Sequence, residues 1–267
     1  MIRSRALLPA VCGVALLGGL LGGLLGGLLT GPTAQAAAWQ LKWSPSAAKD
    51  GLAAFEGVED DRAGSHPGVK HIYVQNGAYR FDMHMKDRDS STDRQRQEVK
   101  GMRSPAGGPY LEWKKGETWR LTYSMYIPRS LKATTTFTHI MQMKMPGNDS
   151  SPILTTSLRR YGSTPKIELN VENSGVVVGS TDLAPLQNKW IDVDFELKIG
   201  DAPNGSVHWV IRDGSTTVLD VKRGGLDTWL SDRVRPKWGI YRSLGDKSGS
   251  LQDCYLLLRN LKAYKLA

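Results

Sequence analysis

The sequence predicts an all-β protein built from two packed antiparallel sheets. Three observations lead to this prediction: apolar and polar residues alternate over many short segments, turn residues separate those segments, and no sustained helical period occurs. Numerous short strands at this spacing are typical of β-sandwiches. The chain has 267 residues, a length that one sandwich domain can use.

The individual strands are predicted from the alternation. It is clearest at 118–127 and recurs at 167–171, 191–197 and 207–211. Two dipeptides between strand-like segments, Asn76-Gly77 and Asp213-Gly214, are favoured turns of tight β-hairpins. After Ala38 the chain shows no internal repeat, low-complexity linker or change of composition, so a single domain is predicted over residues 37–267.

Residues 1–36 have the pattern of a secretory signal peptide. Arg3 and Arg5 precede an uncharged apolar stretch at 6–29, and the small-x-small sequence 34–36 fits a signal-peptidase site. Cleavage would leave Ala37 first and place the protein outside the cell. The alternative is an uncleaved membrane anchor, since the apolar stretch approaches the length of a bilayer span.

The charge of the chain favours an anionic partner. Its formal net charge is +9, and it is +7 without the two arginines of the leader. A basic protein attracts polyanions, but export and the absence of a Lys/Arg-rich run disfavour nucleic acid, and no basic amphipathic helix indicates membrane binding. We therefore expect an acidic polysaccharide as the partner of a monomeric protein. Only Cys254 remains after cleavage, so no intramolecular disulfide is expected.

Three segments depart from plain alternation and carry the candidate chemistry. The first is a strand over 94–100, whose Arg94, Arg96, Glu98 and Lys100 would share one face as a charged ladder. A solvated edge strand would have the same pattern.

The other two segments combine polar and aromatic residues. In 137–144, Gln142 and Lys144 would share a face, with His139 on the other. In 235–242, Lys237 and Tyr241 would share a face with Gly239 between them, where a glycine leaves room for a ligand to approach the backbone. Arg242 should point to the opposite face.

These segments, in this order, resemble motifs of jelly-roll polysaccharide lyases: the alginate, heparin and glucuronan lyases. The alginate lyases carry Arg-x-Glu-x-Arg, Gln-x-His and Lys-x-Gly-x-Tyr. This sequence has Arg96-x-Glu98-x-Lys100, Gln142-x-Lys144 and Lys237-x-Gly239-x-Tyr241. The sequences at 96–101 and 237–242 are most similar to those of glucuronan lyase. The resemblance implies a concanavalin A-like jelly roll with a concave substrate groove.

The resemblance also implies β-elimination of a 4-linked uronate. A base removes the C5 proton, cations or amides stabilise the charge that develops on the carboxylate, and an acid protonates the leaving oxygen. Arg96, Gln142 and Lys144 suit the stabilising role. Tyr241 could be both base and acid, because neighbouring cations favour its phenolate.

The sequence leaves the identity of the base open. Because Lys144 stands where the alginate pattern has histidine, His84 and His139 are alternative bases. The candidate substrate-binding residues are Arg94, Glu98, Lys100, Lys237 and Arg242.

The sequence is also compatible with two other functions. Asp192, Asp194 and Glu196 would share a strand face, as the paired carboxylates of a glycoside hydrolase do; perfect alternation with apolar neighbours favours a strand with one wet face instead. A non-catalytic glycan-binding module could use the same groove without cleaving.

No cofactor is expected to be required. A structural Ca²⁺ is conceivable at the acidic cluster of Glu56, Glu59, Asp60 and Asp61, with Asp253 near the last strand. The five histidines lack paired metal spacing, so no zinc site is predicted.

Overall fold

The computed structural model describes residues 37–147 and 151–267. The predicted signal peptide lies outside these residues. Among the described residues, no helix is long and apolar enough to cross a bilayer.

The described residues form mostly strands, with a few short helical turns. The strands are β1 (Trp39–Trp43), β2 (Gly57–Glu59), β3 (Ile72–Gln75), β4 (Ala78–Met83), β5 (Arg94–Lys100), β6 (Thr118–Tyr126), β7 (Thr138–Lys144), β8 (Leu154–Tyr161), β9 (Thr164–Val171), β10 (Val176–Asp182), β11 (Trp190–Lys198), β12 (Gly205–Asp213), β13 (Thr216–Leu226), β14 (Arg235–Ser243) and β15 (Cys254–Leu266). One α-helical turn, α1 (Ala47–Asp50), and three 3-10 turns (Gly51–Ala54, Glu172–Ser174 and Ala184–Leu186) complete them.

The strands form two antiparallel sheets. One has the order β13-β12-β11-β6-β15-β4-β3, with β1 also paired to β15, and the other has the order β10-β9-β8-β7-β14-β5-β2. Sequence neighbours β5 and β6 lie in different sheets, as do β10 and β11, so the chain crosses repeatedly between the layers. The predicted jelly-roll sandwich is confirmed.

The predicted hairpins form for the reason that the sequence gives. Asn76 and Gly77 join β3 to β4 and have φ values of 50° and 74°, the left-handed conformation that a type I′ turn requires. In the second hairpin Asp213 is the last residue of β12 and pairs with Thr216, so the turn residues are Gly214, with φ of 57°, and Ser215, one position later than predicted. Each turn fixes the register of its two strands.

Alternation along the strands produces the core between the sheets. In β11, Ile191, Val193, Phe195 and Leu197 are all buried in the core cluster. From the other sheet, Trp238 packs in the same cluster with its ring stacked 6.0 Å from that of Trp43. The inner faces of both sheets are therefore used for packing, and the outer face of the sheet that holds β5, β7 and β14 is left for polar side chains.

Candidate active site

A cavity of about 830 Å³ lies over the middle strands of the seven-stranded sheet. Strands β7, β14 and β5 are adjacent in that sheet, so the three segments singled out from the sequence meet there. Among the described residues, six basic and two acidic side chains line it: Arg62, Arg94, Arg96, Lys144, Arg235 and Lys237, with Glu59 and Asp89. This excess of positive charge suits an anionic polymer.

Strand β5 supplies its charges by simple alternation. Gln95, Gln97 and Val99 are fully buried, so the intervening residues face outward as predicted. Arg94 and Arg96 line the cavity. The inward Gln95 donates from Nε2 to the carbonyl oxygens of three residues in the 84–87 segment, and this fixes the strand against its neighbouring loop.

Strand β14 follows the same rule. Trp238 and Ile240 face the core, whereas Lys237 and Tyr241 line the cavity. Gly239 between them has φ of 140°, and a Cβ there would lie 2.1 Å from the carbonyl oxygen of Gln97. The close approach of β5 therefore requires glycine at this position, independently of any ligand.

Strand β7 breaks the alternation and changes the prediction for His139. Ile140 and Met141 are consecutive yet both buried in the core, because the register shifts between His139 and Met141 relative to β8 and between Trp238 and Tyr241 of β14 relative to β7. Such a β-bulge adds one residue to a strand. It turns His139 to the same face as Gln142, and both line the cavity.

Tyr241 is held by two cations. Its hydroxyl accepts a hydrogen bond of 2.8 Å from Nη1 of Arg94, and the guanidinium of Arg96 lies 3.8 Å from its ring centroid. A donor at the phenolic oxygen leaves the hydroxyl hydrogen for another acceptor and also stabilises negative charge after the proton has left. Tyr241 is placed to give up a proton.

His139 lies directly opposite Tyr241 on the neighbouring strand, with ring centroids 5.8 Å apart. Its Nδ1 is 2.7 Å from Oγ of Ser157, which leaves Nε2 as the nitrogen for proton transfer. Burial lowers the pKa of His139 to about 3, and the charges of Arg159 and Arg96 add to the effect. The imidazole is therefore neutral near pH 7 and able to accept a proton.

Two buried carboxylates hold the cations beneath the cavity. Glu98, fully buried, lies 2.7 Å from Nζ of Lys237 and 3.1 Å from Nη1 of Arg96, and accepts 2.6 Å from Nε2 of Gln142. Glu59 lies 2.7 Å from Nζ of the same lysine. Burial alone would raise the pKa of Glu59, but Lys237 and Arg96 lower it to about 2. This network fixes the positions of the side chains that line the floor.

Both pKa shifts predict a loss of stability in acid. Below about pH 6.5 the unfolded chain binds a proton at histidine, whereas folded His139 does so only near pH 3. For Glu59 the pH window lies between the pKa of about 4.5 in the unfolded chain and the pKa of about 2 in the folded protein. The stability present above each window is lost as the pH falls through it, by at most about 1.4 kcal/mol per pH unit and group.

Urea unfolding between pH 7 and 4.5 tests the contribution of His139. We expect His139→Gln to flatten the dependence of the free energy of unfolding on pH, because the buried histidine no longer contributes to it. Equal slopes in the wild type and His139→Gln would contradict the pKa assignment.

Four predicted site residues lie elsewhere. Glu98 is buried in ion pairs and cannot meet substrate directly. Lys100 pairs with Glu59 at 3.1 Å, away from the described lining. Arg242 is 2% exposed on the core side and donates 2.7 Å from Nε to Gln95, so its assignment to substrate binding is corrected. His84 lies outside the cavity lining, with Nδ1 3.4 Å from Asp87, so it is not placed to act as a base.

The acidic cluster considered for calcium separates in the structure. Glu56 pairs with Arg233 and Arg235, and Glu59 pairs with Lys237 and Lys100. Asp60 binds His71 at 2.6 Å, Asp61 binds Ser65 and His66, and Asp253 accepts from the amide of Met85. Among the described residues, the side chains that lie close enough together to hold one metal ion are a different set, namely His66, His71, His84 and Asp87.

The acidic strand considered for hydrolysis belongs to the other sheet. Asp192, Asp194 and Glu196 are on β11, and the cavity is formed on the seven-stranded sheet. Asp194 forms an ion pair with Arg120, and Asp192 accepts a 2.6 Å hydrogen bond from Ser124. These carboxylates therefore form ion pairs and hydrogen bonds on the outer face of their own sheet.

Sequence reasoning missed several residues of the cavity. Asp89 binds Nε of Arg96 at 2.8 Å, and Arg62 lies 3.2 Å from the same carboxylate. Phe137 stacks on His139 with centroids 4.8 Å apart. The first two come from irregular loops, where no periodic signal exists; the third immediately precedes β7 and could have been found from its position.

Together, a jelly-roll sandwich and a cationic cavity holding a tyrosine beside a neutral histidine are the architecture of an enzyme that acts on acidic polysaccharides. Residues 46–255 match the sequence profile of a family described as polysaccharide lyase. The chain belongs to this family and is a polysaccharide lyase. No curated protein sequence matches it.

Solved structures show the same fold. Alginate lyase A1-II′ of polysaccharide lyase family 7 is similar with a TM-score of 0.57 and 13% identity, covering 83% of this chain and 99% of that one. The endo-β-1,4-glucuronan lyase of the fungus Trichoderma reesei is similar with a TM-score of 0.54 and 11% identity, covering 84% and 95%. An alginate lyase from Pseudomonas aeruginosa has a TM-score of 0.51 and 10% identity, covering 79% and 98%.

Proposed function

We propose that this protein is a secreted lyase that cleaves a 4-linked glucuronate polymer by β-elimination, with His139 as base and Tyr241 as acid. The observation that carries the proposal is the pairing of these two residues at directly opposed positions on β7 and β14. The lowered pKa of His139 supports its role, because the neutral imidazole has a lone pair with which to accept a proton.

Binding of the substrate would make His139 a stronger base. Besides burial, the charges of Arg159, Arg96 and Lys237 disfavour the imidazolium form of His139, and a bound uronate carboxylate would neutralise the two that line the cavity, Arg96 and Lys237. Once that carboxylate is bound, the proton from C5 can be accepted at lower cost. The same cations then stabilise the charge that builds on the carboxylate as the C5–H bond breaks.

The stereochemistry of the sugar supports glucuronate. In a 4-linked β-D-glucuronate the C5 hydrogen and the O4 leaving group lie on the same side of the ring. His139 and Tyr241 project from one face of one sheet, so both can reach the sugar from that side. In L-guluronate the two groups lie on opposite sides, and an acid and a base on one face are poorly placed. Mannuronate shares the glucuronate arrangement and is the second choice.

The experiment is a comparison of polymers. Purified protein is incubated with glucuronan, polymannuronate and polyguluronate, and the products are followed by the ultraviolet absorbance of unsaturated uronate ends and by mass spectrometry. We expect unsaturated products from glucuronan at the highest kcat/KM. Saturated products would indicate hydrolysis, binding without cleavage would indicate a glycan-binding module, and a preference for polyguluronate would overturn the same-side mechanism.

Secretion is the second part of the proposal. It is supported by the cationic leader start, the apolar stretch and the small-x-small sequence before Ala37. When the full chain is expressed in a secreting host, we expect N-terminal sequencing of the protein in the medium to begin at or near Ala37. A retained leader with the protein in the membrane fraction would favour the anchor instead.

A further inference from the structure

Three histidines and one aspartate converge outside the catalytic cavity. One potential ligand atom from each of His66, His71, His84 and Asp87 lies within 4.8 Å of all the others. We propose that these four side chains bind one Zn²⁺ ion in a closed tetrahedral site. The lyase chemistry does not use them, and their spacing along the chain shows no recognisable zinc pattern.

The separations between ligand atoms fit a zinc tetrahedron. Asp87 Oδ1 lies 2.9 Å from Nδ1 of His66 and 3.2 Å from Nε2 of His71, and these two ring nitrogens are 3.3 Å apart. Nδ1 of His84 is 3.4 Å from Asp87 Oδ2. Zinc–nitrogen and zinc–oxygen bonds of about 2.0–2.1 Å give tetrahedron edges of about 3.3 Å. Three of the four ligand atoms already have the separations that the ion requires, and the ligand atom of His84 lies within 4.8 Å of the others.

Hydrogen bonding around the cluster leaves lone pairs that need a cation. Nδ1 of His71 is 2.6 Å from Oδ1 of Asp60, and a proton shared there directs the lone pair of Nε2 toward His66 and Asp87. A carboxylate behind a histidine is the usual second layer of a zinc site, where it fixes the tautomer. Nδ1 of His84 is buried without a hydrogen-bond partner, so it too presents a lone pair to the cluster.

The ligand types select the metal. Imidazole nitrogen with a single carboxylate suits zinc, whereas Ca²⁺ requires six to eight oxygen ligands. The side chains of His71 and Asp87 are fully buried, and those of His66 and His84 are 17% and 33% exposed. The ion can therefore enter from the side of the two exposed histidines and be held from beneath.

The site would fasten two irregular segments to the edge of the cavity. His66 lies in the loop between β2 and β3 and His71 at its end, and His84 and Asp87 lie in the turn after β4. Gln95 of β5 holds that turn because its Nε2 donates to the carbonyl oxygens of His84 and Asp87. Asp89, two residues beyond Asp87, binds Arg96. Zinc would thus have a structural role, supporting the aspartate that positions an active-site arginine.

Titration with ZnCl2 tests the proposal. Untagged full-length protein is stripped with a chelator, dialysed, and titrated by calorimetry at pH 7, with elemental analysis of the product and a Tm measurement in parallel. We expect one zinc per chain and a Tm that rises with zinc concentration, because the ion binds the folded state. CaCl2 should give neither effect.

Variants identify the ligands without relying on activity. His84→Gln, at the most exposed ligand, should abolish stoichiometric binding while the apo protein keeps the wild-type circular dichroism spectrum. Asp60→Asn should weaken zinc binding about 10–100-fold, the usual effect of a lost second-layer carboxylate. His208→Gln should bind zinc as the wild type does.

The proposal fails if the stripped wild-type protein takes up less than about a tenth of an equivalent of zinc, a bound far below the 1:1 stoichiometry of a closed site. It also fails if chelation leaves Tm unchanged, the result expected if a shared proton rather than a metal neutralises the cluster. If His84→Gln binds zinc as tightly as the wild type does, the ligand assignment is wrong.

Discussion

Replacing Tyr241 with phenylalanine should reduce kcat by about 10²–10⁴-fold, the usual contribution of a general acid or base. The substitution removes one hydroxyl and keeps the ring that packs under Arg96 and beside Phe137, so the fold should be retained. KM should change little, because the cations that meet the polymer remain. Steady-state kinetics on a uronate polymer, with circular dichroism of the variant, provides the measurement.

A matched control exists on the same sheet. Tyr161 of β8 is 51% exposed and donates 2.7 Å to Glu168, outside the described lining of the cavity. Tyr161→Phe should keep wild-type turnover. If Tyr241→Phe retains more than about a tenth of the wild-type rate, well above the range for an acid–base group, the tyrosine is not the acid.

Replacing Arg96 with alanine should remove both activity and stability. For a residue on a charged surface ladder, the sequence alone predicts a loss of turnover with an intact fold. In the structure the guanidinium lies among Asp89, Glu59 and Glu98. Removing one member of a buried ion-pair network costs about 3–5 kcal/mol, because the remaining charges stay buried without compensation. Urea unfolding measures this loss, and product absorbance measures turnover.

Arg62→Ala is the appropriate comparison. Its side chain also contacts Asp89 but is 40% exposed, and exposed ion pairs contribute at most about 1 kcal/mol. Arg96→Lys keeps a charge but loses the planar fork that contacts several carboxylates, so it should recover part of the stability and little of the activity. A fully stable, active Arg96→Ala would mean that the strand is only a solvated edge.

The fold was predictable because most strands obey one rule. Burial alternates in β6, β11 and β12 as the apolar positions do, and left-handed residues lie in both predicted hairpins, at Asn76 and Gly77 in the first and at Gly214 in the second. One inward and one outward face were enough to define two sheets and to place Arg96 and Tyr241 on the same side. The alternation of apolar and polar residues depends only on neighbouring positions, so it can be read directly from the sequence.

The remainder of the site depends on exceptions to that rule and on contacts between distant segments. His139 reaches the cavity because Ile140 lies at a β-bulge, and the pattern of apolar and polar residues in β7 does not indicate that bulge. Glu59 meets Lys237 across 178 positions of the chain, through strand pairings that the sequence does not display. The spacing of His66, His71 and His84 follows from irregular loops, so it lacks the regular interval by which zinc ligands are usually found.

The carboxylates beneath the cavity divide its positive charge into two layers. Glu59 and Glu98 neutralise the buried Lys237 and Arg96 in part, so the field that extends into solvent arises mainly from rim residues such as Arg62 and Arg94, whose side chains are 40% and 34% exposed. Charges at the rim are screened by salt over about 8–10 Å, whereas buried charges are screened much less. Exposed rim charges thus govern capture of the polymer, and buried charges govern proton transfer in the cavity. Ionic strength should therefore change the rate of capture more than the rate of proton transfer.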